Sequence, residues 1–81
     1  MLYTLNVDRI KALNERIKEF DFGPNMVVTN VTGIKGVTPD ILEADVWLMD
    51  VKNHEFALVS FQAVFNDNSD KIIKVITERL L

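Results

Sequence analysis

Cysteine is absent from the 81 residues. Its absence excludes a disulfide framework, a thiol nucleophile and any cysteine-held metal. Histidine occurs once, at His54, and general acid–base or nucleophilic chemistry there would need a second group held beside it. A basic excess is also lacking. Nine Lys and Arg face twelve Asp and Glu, a formal net charge of −3, whereas nucleic-acid binders draw most of their non-specific affinity from cations on phosphates. No apolar run approaches the roughly 20 residues of a membrane span. The first residues lack the basic segment and apolar core of a secretory signal. These absences lead to the expectation of a soluble, cytoplasmic, non-enzymatic protein with no cofactor, no metal and no membrane contact.

What is present is an ordinary globular composition, 48% hydrophobic and 26% charged. That suits a single small α+β domain over residues 1–81, with no linker, internal repeat or low-complexity segment. The densest apolar stretch runs from Ala44 to Phe65, two strand-like segments joined at Lys52-Asn53-His54-Glu55. Val46, Trp47, Val51, Phe56, Val59, Phe61, Val64 and Phe65 are β-branched or aromatic, types that suit a pleated surface. Asn53 tolerates the left-handed backbone of a tight turn.

Centring the turn on Asn53-His54 pairs Val51 with Phe56, Met49 with Leu58, Trp47 with Ser60 and Asp45 with Gln62. The opposite face then carries Leu48 with Val59, Val46 with Phe61, and Ala44 with Ala63, because side chains alternate along a strand. This second set is nearly pure apolar, apart from Asp50 beside the turn, and the two alanines admit a close helix backbone. It is the expected core face. The first set grades from polar (Glu43, Asp45, Ser60, Gln62) to apolar (Trp47, Met49, Val51, Phe56, Leu58).

Upstream, residues 1–5 read as a short extended lead-in. A helix follows from about Val7 to Phe20, capped by Asn6 or Thr4, with Ile10, Leu13, Ile17 and Phe20 on one stripe. Gly23-Pro24 stops it. Met26 to Thr32 reads as a strand, and Gly33 to about Leu42 as a long irregular segment in which Thr38-Pro39-Asp40 starts a helical turn. After the hairpin, Asp67 or Ser69 is positioned to cap a second helix containing Ile72, Ile73, Val75, Ile76, Leu80 and Leu81. The expected architecture is a three-stranded antiparallel meander with an N-terminal and a C-terminal helix on one face, α-β-β-β-α in two layers.

From Val37 to Val51 the chain carries Asp40, Glu43, Asp45 and Asp50 and no base. The spacing does not match a calcium loop, so these acids are read as a solvated edge or as a patch for a basic partner. Gly33-Ile34-Lys35-Gly36 is similar to the Gly-x-x-Gly loop with which KH domains clamp a nucleic-acid backbone. The helix-strand-strand-strand-helix order resembles the double-stranded RNA-binding domain across the whole chain. That likeness implies RNA contact through the loop after the first strand, with Lys35, and through the start of the last helix, with Lys71 and Lys74. Asp67 and Asp70 stand at that same start and oppose phosphate.

The expectation is therefore a protein-protein interaction module. Its contact residues are Trp47, Met49, Val51, Phe56 and Leu58 on the apolar side and Asp40, Glu43 and Asp45 on the acidic side, since an exposed apolar patch on a small domain marks a contact surface. The partner is another protein or a second copy in a homo-oligomer. Size and acidity suit a phage- or mobile-element-encoded inhibitor or accessory subunit. The alternative is a nucleic-acid-binding module with the double-stranded-RNA-binding-domain-like topology.

Overall fold

The computed structural model describes residues 6–81; the expected extended lead-in of residues 1–5 lies outside them. One helix precedes a four-stranded antiparallel sheet. The elements are α1 (Val7–Glu19), β1 (Met26–Thr38), β2 (Ile41–Asp50), β3 (Glu55–Phe65) and β4 (Ile72–Arg79). The sheet is a plain meander, β1-β2-β3-β4, and the helix lies against one face, over β3.

Asn6 caps the helix as expected, its side-chain oxygen accepting from the N–H groups of Asp8 and Arg9. Two of the orphan donors of the first turn are thereby satisfied. The apolar stripe delivers Leu13 and Ile17 to full burial, with Ile10 and Phe20 packed beside them. At the far end the Phe20 ring meets the Phe61 ring edge-on at 5.3 Å, and Phe22 closes the cluster 4.8 Å from Phe20. Gly23, at φ +120°, turns the chain back.

The β2–β3 hairpin shows the expected division of faces. Leu42, Ala44, Val46 and Leu48 from β2, and Ala57, Val59, Phe61, Ala63 and Phe65 from β3, are buried under the helix. The register differs. Met49 pairs with Phe56, Trp47 with Leu58, Asp45 with Ser60 and Ala44 with Phe61, so each partner is two residues earlier on β3 than the turn Asn53-His54 implies. The connection spans Val51 to His54, between the paired Asp50 and Glu55. His54, not Asn53, takes the left-handed conformation at φ 58°. Asp50 organises this turn by accepting from the N–H groups of Lys52 and Asn53. A shift of two residues preserves the side-chain period, which is why the face assignments survive it for every residue but Val51, which the longer turn takes out of the strand.

Two further expectations are corrected. Gly33 to Leu42 is not an irregular segment: β1 continues to Thr38, and only Pro39-Asp40 turn the chain into β2. The first strand bends through register shifts at Val28/Asn30, Thr32/Lys35 and Gly36/Thr38, the signature of bulges. Gly33 sits at one of them with φ +64°, and a Cβ there would come within 3.0 Å of Asp45 Oδ2. The Gly-x-x-Gly element thus belongs to a bulged strand.

The second correction is larger. The C-terminal segment is strand β4, not a helix, so the sheet has four strands and the fold one helix. Ile72, Ile73, Val75, Ile76 and Thr77 are five β-branched residues among the eight of β4, a composition that prefers the pleated surface. Of the two expected capping residues, Ser69 serves the β3–β4 turn instead, together with Asn66. Asn66 Oδ1 accepts from Asn68 N–H, and Ser69 Oγ accepts from Lys71 N–H. Ile72 and Val75 reach the edge of the core, while Ile73, Ile76 and Leu80 are exposed rather than buried in it. Without the second helix, the topology that resembled a double-stranded RNA-binding domain is not formed.

Arg9 fastens the helix to the sheet. Its guanidinium donates to the carbonyls of Pro39, Asn66 and Ser69 at 3.0 Å each. It also reaches Asp40 Oδ1 at 3.2 Å and lies 5.0 Å from the centre of the Phe65 ring. A fork of five donors is what allows one side chain to bind several acceptors. The start of α1, the β1–β2 turn and the β3–β4 turn thus converge on one residue.

Candidate protein-interaction surface

Strand alternation sends Ile41, Glu43, Asp45, Trp47 and Met49 of β2 to the face opposite the helix. Phe56, Leu58, Ser60, Gln62 and Val64 of β3 join them. No element among the described residues covers this outer face. Side chains directly opposite one another form rows across it. Nearest the β2–β3 turn lie Val27, Met49 and Phe56, followed by Asn30, Trp47 and Leu58. Next come Thr32, Asp45, Ser60 and Glu78, and then Lys35, Glu43, Gln62 and Ile76.

The two rows nearest the turn form an apolar strip. Phe56 is 66% exposed and Val27 43%, whereas Trp47, Met49 and Leu58 are half-buried by their neighbours on the sheet itself. Four expected contact residues therefore meet on one surface: Trp47, Met49, Phe56 and Leu58. Val51 does not join their rows. It is exposed within the turn, its N–H donating to Asn25 O.

The expected acidic residues are separated. Glu43 and Asp45 lie on the outer face two rows and one row from the apolar strip. Asp40 sits in the β1–β2 turn, engaged by Arg9. Glu43 is also engaged, by Lys35 Nζ at 3.4 Å and by Gln62 Nε2 at 2.7 Å. Asp45 lies between Thr32 and Ser60 in its row, with Glu78 beyond. The outer face thus carries an apolar end and a band in which Asp45 and Glu78 are the charged groups.

Val27 belongs to the surface although the sequence alone did not single it out, because the alternation of β1 is obscured by its bulges. Ile76 and Glu78 escape the sequence pattern because Asp67 and Ser69 give their segment the look of a capped helix; the density of β-branched residues is the signal that points to a strand. Lys35, Lys71 and Lys74 form no common basic site. Lys35 is paired with Glu43, Lys74 lies opposite Val64, and Lys71 lies beside Glu15, Arg16 and Glu19 of the helix. Among the described residues no helix is long and apolar enough to cross a membrane. The chain matches no protein-family model, no curated protein and no solved structure.

Proposed function

We propose that this chain is a non-enzymatic protein-interaction module that receives a partner protein on the outer face of its sheet. The observation that carries this reading is the Trp47, Met49, Phe56, Leu58 and Val27 strip, which no described element covers. Large exposed apolar patches on small domains mark contact surfaces. Trp is favoured at the energetic centre of interfaces, and Met adapts to an irregular counterpart. Asp45 and Glu78 beside the strip favour a partner with an apolar anchor flanked by Lys or Arg, and that charge match sets approach rate and register more than affinity.

Trp47 is the only tryptophan, so its fluorescence reports directly on this face. A partner isolated on the immobilised chain is titrated against the wild type, and burial of the indole shifts its emission to shorter wavelength. Trp47→Ser, measured by calorimetry, weakens the same complex by at least about 2 kcal/mol, the threshold of a hot spot. A partner that binds the two proteins equally, with no change in tryptophan emission, rejects the outer face as the contact.

A further inference from the structure

The sheet of the described residues ends at two strands, β1 and β4, and only β1 is broken by repeated bulges. β1 breaks register with β2 at three places and carries Gly33 in the left-handed region. Bulges of this kind twist an edge away from a would-be partner strand. β4 has a single irregularity, beside Phe65, and from Lys74 to Arg79 it pairs without interruption with Val64 to Val59. It contains neither Pro nor Gly. Ile73 is 60% exposed and Ile76 42%. A regular edge of this kind, with exposed isoleucines between Lys74 and Glu78, is a template for addition of a strand of matching charge pattern.

The direction of its free backbone groups follows from the ladder. Leu80 N–H donates to Leu58 O at 2.7 Å, towards β3. Backbone groups alternate sides at each residue of an antiparallel pair. Ile76 and Glu78 therefore also face β3, whereas Val75, Thr77 and Arg79 direct their N–H and C=O groups to the open edge.

We infer that a second copy of the chain docks here, β4 pairing antiparallel with β4 about a two-fold axis at Ile76. Ile76 then meets Ile76 of the second copy, and Val75 and Thr77 exchange both backbone bonds across the axis. Lys74 stands opposite Glu78 of the second copy, and the symmetry repeats that pair. The neighbouring centres lack this match. An axis at Val75 sets Lys71 against Arg79, and one at Thr77 sets Lys74 against Leu80. Opposite charges across strands stabilise a pair and like charges weaken it, so the charge pattern selects Ile76. Lys74, Ile76 and Glu78 share the outer face with their β3 neighbours Val64, Gln62 and Ser60. The product is one continuous eight-stranded sheet. It rests on the edge of β4 and not on the apolar strip.

Light scattering coupled to size exclusion tests this on the whole chain, with sedimentation giving the dissociation constant. The wild type has twice the 9.3 kDa mass of the chain. Lys74→Glu turns both attractive pairs repulsive and raises the dissociation constant about tenfold or more. Adding Glu78→Lys to it restores wild-type association. Thr77→Pro removes only an outward donor from each copy, leaves the β3 ladder intact, and gives a monomer. Trp47→Ser remains dimeric, which separates failure of this interface from failure of the outer-face reading. A wild type that is monomeric at about millimolar concentration overturns the inference, as does a double variant that associates no better than Lys74→Glu. If Thr77→Pro fails to fold, the Lys74 and Glu78 variants decide alone.

Discussion

The two faces of the β2–β3 hairpin are built from alternate residues of the same strands, yet they differ in how residue size is distributed. Under the helix, Ala44, Ala57 and Ala63 are interspersed with Val46, Leu48, Val59 and Phe61. On the outer face stand Trp47, Met49, Phe56 and Leu58, with no alanine among the paired residues. Small residues let a helix backbone approach, and large ones between them fill the space at crystal-like density. The outer face has apolar bulk without that relief. Hydrophobicity alone would not distinguish the two sides; the placement of alanine does.

The comparison breaks most visibly at Phe61, which is fully buried and touches both Phe20 and Phe22. Phe61→Ala lowers stability in urea denaturation by about 3–5 kcal/mol, a large part of the roughly 5–15 kcal/mol available to a small domain. Trp47→Ser, on the other face, keeps a denaturation midpoint well above that of Phe61→Ala. Equal losses at the two positions would mean that the outer face is also a core.

Next comes Arg9, whose side chain is only 12% exposed. Arg9→Ala removes the donor from the Pro39 and Ser69 carbonyls and from Asp40, leaves the Asn66 carbonyl only the Ser69 N–H, and costs about 2 kcal/mol in the same assay. Arg9→Lys recovers less than half of this, because an ammonium cannot reproduce the fork. Gln62→Ala on the outer face removes the 2.7 Å bond to Glu43 and costs about 0.5–1 kcal/mol.

The smallest effect lies at the turn, beyond both faces. The N–H of Asn53, then that of Lys52, holds the Asp50 carboxyl below its ordinary value, with a lesser contribution from the charge of His54. A depressed native pKa stabilises the fold above the unfolded carboxylate value, and this contribution is lost as pH falls through that value to the native one. Asp50→Asn therefore lies slightly below the wild type in urea midpoint at neutral pH, and the gap closes on acidification. A gap that widens in acid would reverse the sign.

The parts legible in the sequence share a cause. Ile10, Leu13 and Ile17 follow a helical period, and the hairpin faces follow a period of two; both patterns survive errors at their ends. The hairpin register was not legible, because Asn53 advertises a left-handed residue that the backbone places at His54. β4 was hidden by Asp67, Ser69 and Asp70, acceptors equally suited to capping a helix and closing a turn. The edge pairing with β3, a contact far from the local pattern, settles the matter in favour of the strand. Of the candidate surface, the four residues on regular strands were placed together, while Asp40 and Val51 fell into turns. Arg9 carried no signal at all, since its acceptors, three backbone carbonyls and Asp40, lie 30 to 60 residues away.

The meander gives these distant bonds a further consequence. Each strand pairs with the next in sequence, so most of the sheet closes through short loops and has low contact order. The helix is the exception: its Arg9 acceptors sit in two turns that exist only after both outer hairpins have formed. The expected order of assembly therefore puts helix docking last, and helix release first on opening. In native-state hydrogen exchange the amides of α1 open at a lower free energy than those of β2 and β3. Such an opening exposes Phe61 and Leu48 while Trp47 faces the other side, so no described element then covers either face of the sheet.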